Sequence, residues 1–324
     1  MSFSIVGKNP VNSSEKARRP PDQKSMKEAF SYCADLVRKR DYENYLALML
    51  MPKDKQPRIL ASLALNVEVS TIRQKIKRNS GVTGIYQLQF WKDALNALYG
   101  DAKGPIPRYI FIWFMWFNCC FRQPVVTALH GFGKSSDLDL FQKLVAARQE
   151  TLGDRPFESI KKLEENGRNV HGTMIKLIGS GLDDKADPRF LEAADYMGAG
   201  VGVVTLVRAT VPLLKEGVVL LPTDLMEIHG LNGDRVYNNK NPEALKALMK
   251  DLIDVADSNV QKAREKMTDI PVSLRQAFLS SGVKTDYLVK LLRKNNFNLF
   301  EERIQKPHPL ISWQLWWRNM RKIF

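Results

Sequence analysis

Cysteine is scarce: the chain has three, at positions 33, 119 and 120. Two of them are adjacent and do not readily pair with each other. A disulfide scaffold is therefore excluded, and a reducing compartment fits. The four histidines, at 130, 171, 229 and 308, share no metal-ligand spacing. They read as ordinary polar or capping residues, so no zinc site is expected. Strand-type alternation is nearly missing, which excludes a sheet-based fold. Acidic side chains are in deficit, 35 against 49 lysines and arginines, leaving a net charge of +14. That balance favours an anionic partner: a lipid surface, an RNA or an acidic protein. The cations are spread along the whole chain without a compact nucleic-acid-binding signature, so no nucleic acid is expected among the partners. A secretory signal is not visible either. Residues 1–24 are rich in Ser, Pro, Lys and Arg and poor in acids, as matrix-targeting segments are. Pro10, Pro20 and Pro21 interrupt any long amphipathic helix there, and the expectation is a disordered leader.

What the chain has is helical periodicity. With 44% hydrophobic residues in 324, it can bury a sizeable core. From about residue 25 to 300 the apolar positions recur every three or four residues. "SMKEAFSYCADLVRKRD" places Phe30, Cys33, Ala34 and Val37 on one stripe. "IYQLQFWKDALNALYG" carries Leu88, Trp91, Leu95 and Leu98 and stops at a glycine, a helix-end signal. The fold class is therefore all-α.

Four stretches raise functional questions. "GVGVVTLVRATVPLLKEGVVLLPTD" (200–224) is an apolar run with one charge, Arg208, broken at Pro212 and followed by a shaped loop. It has the layout of an active-site wall, yet Ala209, Thr210, Val211, Pro212 and Leu213 offer no chemistry. "RYIFIWFMWFNCCF" (108–121) is an apolar insert without helical period, too short for a bilayer span of about 20 residues. It reads as a surface loop, a membrane-dipping loop or non-coding sequence retained in the gene model. "LDDKADPRF" contains Asp183, Asp184 and Asp187, but glycine and proline flanks mark a capped loop rather than a metal site. The tail, 301–324, sets Trp313, Trp316, Trp317 and Met320 on one helical face beside Arg318, Arg321 and Lys322. Those residues suit an anionic membrane surface or a protein partner. Docking of the tryptophans on the core is an equal alternative.

Several blocks, in order from about residue 25 to 300, resemble the squalene/phytoene synthase family. They are "RDYENYLALMLMPKDKQPRILASLALNVEVS", "QFWKDALNALYG", "QPVVTAL" and "MGAGVGVVTLVRATVPLLKEGVVLLPTDLMEIHG". The resemblance implies an isoprenoid-synthase-like, single-domain helical bundle around a central cavity. It also implies where chemistry would sit. Family members that ionise allylic diphosphates hold Mg²⁺ with paired carboxylates on two facing helices, the hard oxygen ligands this ion demands. In this chain the first acidic motif falls on Ser70, Thr71, Ile72, Arg73 and Gln74. The second falls on Thr205, Arg208, Ala209, Pro212 and Leu213. Neither retains an acid, so no catalytic residue, metal or cofactor is expected. Arg208 reads as structural, held by a buried acid or by carbonyls, and Pro222 and Asp224 shape the loop. Within the family, the combination resembles a non-catalytic mitochondrial branch. That resemblance implies a protein on the matrix side of the inner membrane which acts at an early, membrane-subunit stage of respiratory complex I assembly. Its implied partners are complex I subunits or other assembly factors, the membrane surface, and a prenyl lipid in the cavity. An active prenyl transferase with relocated acids and a lipid-binding membrane-surface protein remain the alternatives.

Overall fold

A computed structural model describes residues 22–75, 81–100, 123–184 and 187–324, except for the side chains of 74, 75 and 81. The expected leader up to residue 21 and the apolar insert at 108–121 lie outside the described residues. Every regular element among the described residues is helical. The first helix, α1 (Gln23–Arg40), starts earlier than the leader boundary suggested, because the Asp22 side chain accepts a bond from the Ser25 N–H at 2.9 Å and caps it. It buries Ala29, Cys33 and Val37 at four-residue spacing. There follow α2 (Tyr42–Met49), α3 (Gln56–Lys75), α4 (Gly81–Tyr99), α5 (Pro124–Phe132) and α6 (Leu138–Glu150). Next, α7 (Ile160–Gly167) runs through a π-helical stretch, Arg168–Gly172, directly into α8 (Thr173–Leu182).

The centre of the bundle is α9 (Pro188–Lys215), capped by the Asp187 side chain and opened by proline. It is the one described helix long and apolar enough to cross a membrane, but it is mostly buried inside the protein, as a core helix is. Glycine is what allows that burial. A Cβ on Gly198 would lie 2.2 Å from the Gly172 nitrogen, and one on Gly202 would lie 2.5 Å from the Gly167 Cα. The backbones of α9 and the α7–π–α8 rod are therefore in contact.

After α9 come the short helices α10 (Thr223–Ile228) and α11 (Gly233–Tyr237) and the long α12 (Pro242–Met267). The last packs along α9 through Leu245, Leu248, Met249, Leu252, Ile253 and Ala256. The chain closes with α13 (Val272–Arg275), α14 (Leu279–Lys294), α15 (Glu302–Gln305) and α16 (Ile311–Arg321).

One expectation is corrected here. Pro212 does not break α9, which continues to Lys215. Proline has no N–H to donate to the carbonyl four residues back, and its ring crowds that turn. The helix survives because the Arg208 carbonyl instead accepts from Gln305 Nε2 at 2.8 Å.

Candidate functional site

Two helix faces, on α3 and α9, correspond to the expected motif positions. On α9, Thr205 and Pro212 are exposed, and Arg208 and Ala209 are only partly covered, whereas the residues around them are mostly buried. Spacings of three, four and seven put these four on one uncovered stripe. Leu213 is partly covered beside it. On α3, the partly covered Asn66, Ser70 and Arg73 form the matching stripe, with Glu68 and Thr71 on its flank. Ser70 Oγ and Thr71 Oγ1 bond back to the carbonyls of Val67 and Glu68. Gln74 ends the row, but its side chain lies outside the described residues. Neither stripe presents a carboxylate. Glu68 accepts from Tyr32 Oη at 2.7 Å, toward α1.

Around these stripes stand charges of both signs, mostly paired across helices. Arg208 Nη1 lies 4.0 Å from Glu43 Oε1, so its acid partner comes from α2. Lys284 of α14 approaches the other oxygen of the same carboxylate at 3.0 Å. Arg73 donates twice to Asp154, from Nε at 2.9 Å and from Nη2. Arg148, in the last turn of α6, reaches Asn66 Oδ1 from Nη2 at 3.3 Å, while its Nε is shut off from solvent with no partner. Burial lowers the Arg148 pKa to about 10; Arg73 adds to the shift and Asp41 opposes it. His171, in the π-helical stretch, is lowered to about 3 by burial first, then by Arg148 and Lys284. It is therefore neutral at neutral pH. Both Arg148 and His171 lie deep among protein atoms, yet each keeps part of its surface uncovered.

Sequence reasoning singled out positions on α3 and α9, Arg208 among them, but missed Glu43, Arg148, His171 and Lys284. No spacing signal joins them, because α2, α6, α14 and the π-helical stretch meet only in the folded bundle. Among the described residues no group of three His, Cys, Asp or Glu is placed to hold a metal ion. The Asp183–Asp187 stretch is spent on structure: Asp187 caps α9, and Asp184 pairs with Arg58 at 2.8 Å and Lys134 at 2.5 Å.

The loop after α9 is stitched to the start of α7. Pro222 is buried at the head of α10. Asp224 Oδ2 accepts from the Ile160 N–H at 3.1 Å, and Thr223 Oγ1 donates to the Glu158 carbonyl at 2.8 Å.

The tail helix α16 has one face in the core and one face exposed. Ile311, Leu315 and Phe324 join the core, and Arg318 turns inward to Asp286 at 2.5 Å, away from the role of surface contact expected for it. The reason is that Asp286 is largely buried and needs its two arginine partners, Arg318 and Arg264. Trp313, Trp316 and Met320 stay outside, each about half exposed, with Arg321 and Lys322 exposed beside them. Trp317 is partly covered, stacked on Trp313 at 5.6 Å with Arg321 over its ring at 4.4 Å.

Comparisons with known proteins agree with this architecture. The structure is similar to that of a dehydrosqualene synthase solved in complex with ligand, with a TM-score of 0.72 over 92% of this chain and 97% of that one, at 19% identity. The sequence is 28% identical over 291 residues to "NADH dehydrogenase (ubiquinone) complex I, assembly factor 6" of Bos taurus, covering 90% of this chain and 82% of that protein. A homolog of the same factor in Drosophila melanogaster is 26% identical, over 99% of this chain and 94% of its own. The family description "Squalene/phytoene synthase" matches residues 37–317. On that match, spanning most of its length, the chain belongs to the squalene/phytoene synthase family.

Proposed function

We propose that this chain is a non-catalytic assembly factor for mitochondrial respiratory complex I. It acts from the matrix face of the inner membrane at an early, membrane-subunit stage, through contacts with complex I subunits or other assembly factors. The observation that carries the non-catalytic part is the chemistry of the two uncovered stripes. A Mg²⁺-dependent ionisation of a diphosphate needs several carboxylates converging on the metals. Here Ser70, Thr71, Arg73, Thr205, Arg208 and Ala209 occupy those places, and positive charge stands where cations would have to bind. The assembly role is supported by the relatives, whose names state it for them. The half-exposed tryptophans of α16, with Arg321 and Lys322, support attachment to an anionic membrane surface.

Deleting the gene and resolving respiratory complexes on native gels tests this reading. Loss of mature complex I, with its membrane-arm intermediates stalled, is expected. Normal complex I levels in the deletion would overturn it. So would turnover of farnesyl or geranylgeranyl diphosphate by the purified protein with Mg²⁺.

A further inference from the structure

The tail helix is not alone in leaving apolar side chains outside. It packs on α2, and that short helix has an uncovered stripe of its own. Tyr42 is 48% and Met49 45% exposed. Seven residues separate them, close to two helical turns, so they share one face, with Tyr45 and Leu46 partly covered between them. The one charged side chain within α2 is Glu43, and it is turned inward to Arg208 and Lys284. The outer side of α2 is therefore uncharged. Single exposed apolar residues are ordinary on a protein surface, whereas stripes on two neighbouring helices make a patch that calls for a partner.

Cations stand at the rim of this patch. Lys39 and Arg40 end α1 just before α2 begins, and both are exposed. Lys53 is exposed just beyond α2, and Asp54, the acid of that loop, has Lys55 at 4.0 Å. After Glu302 the chain carries no acid, and Arg321 and Lys322 are exposed at the end of α16. Aromatic and apolar side chains in the middle, with lysine and arginine around them, match the headgroup layer of an anionic bilayer. We propose that α2 and α16 form one lipid-binding face. Tyr42 and Met49 enter the headgroup layer beside Trp313 and Trp316, while Lys39, Arg40, Arg321 and Lys322 meet the anionic heads. This inference rests on the membrane attachment argued above and extends it. Attachment by the tail alone would let the bundle swing, whereas contact through two helices holds it in one orientation on the bilayer.

The test is co-sedimentation of the full chain with vesicles, either phosphatidylcholine with cardiolipin or phosphatidylcholine alone. Tyr42→Gln with Met49→Gln should weaken binding to the anionic vesicles about fivefold or more, since binding scales with the apolar area inserted. Tm should change little, because both side chains are half exposed. Ile228→Gln with Tyr237→Gln, a matched pair of exposed residues on α10 and α11, should bind as the wild type does. Lys39→Glu with Arg40→Glu should weaken binding as well, and most at low salt. Should the α2 pair lower Tm, this charge reversal decides alone. Wild-type binding by the α2 pair and the charge reversal, with binding lost in Trp313→Ala with Trp316→Ala, would overturn the two-helix face and leave attachment by the tail standing. Wild-type binding by all three variants would remove both. Equal loss in the Ile228 and Tyr237 pair, or equal binding to vesicles without cardiolipin, would also overturn the proposal.

Discussion

Gln305 lends its side-chain amide to the backbone carbonyl of Arg208, at 2.8 Å, replacing the N–H that Pro212 cannot supply. The bond ties α15 to the last turns of α9. Gln305→Ala should cost about 1 kcal/mol in urea unfolding, the usual penalty for stranding a partly buried acceptor. Pro212→Ala restores the helical donor, so in that background Gln305→Ala should be nearly neutral. Additive losses in the double-mutant cycle would show that the two residues are not coupled.

Gly198→Ala tests the backbone seam of α9. Helix propensity alone favours alanine by about 1 kcal/mol. The clash should win, because the Gly172 nitrogen, 2.2 Å from the new methyl, belongs to a backbone that cannot rotate away. A net loss of about 2 kcal/mol or more is expected from overpacking. Gly233→Ala, where a Cβ meets nothing within 4 Å, should change stability little. Equal behaviour of the two variants in thermal unfolding would refute the seam.

The tail can be separated into its two faces. Leu315 is fully buried, and Leu315→Ala should lower stability by about 2–5 kcal/mol. Trp313→Ala with Trp316→Ala should leave Tm nearly unchanged, since both rings are half exposed. The double variant should lose sedimentation with vesicles of phosphatidylcholine and cardiolipin, most visibly at raised salt. Retained sedimentation would remove α16 as the membrane contact.

His171 gives the protein an acid limit. Its pKa is lowered to about 3 in the fold from an ordinary value near 6.5, so the unfolded chain binds a proton more readily. Stability from this residue is complete above about pH 6.5 and falls as pH drops toward 3, by up to ~1.4 kcal/mol per pH unit. The wild type should therefore lose stability relative to His171→Gln as the pH falls from 7.5 to 4.5. Parallel pH profiles would contradict a neutral, buried imidazole.

The residues differ in how plainly their sequence announced their place. The helical class was legible because Ala29, Cys33 and Val37, like the leucines of α12, repeat at helical spacing along one face. The helical character of α3 and α9 was legible because it is a local pattern on single helices. Pro212 misled because proline normally ends a helix, and the compensating donor lies far along the chain, at Gln305. Arg318 misled for a related reason. Its sequence neighbours are surface residues, while its partner Asp286 is on α14. Arg148, His171, Lys284 and Glu43 carried no signal. Their meaning depends on four elements converging, and a π-helical stretch has no short sequence signature.

The glycine seam also sets the mechanics of the interior. Where Gly198 and Gly202 meet Gly172 and Gly167, main chain rests on main chain with no side chain left to repack. That side of α9 behaves as a stiff back plate. The opposite side is held by polar clasps, Glu43 to Arg208 and Lys284 and Gln305 to Arg208, on short helices. Any shift of α9 against its neighbours must be taken up there, at the end nearest the tryptophan-bearing tail.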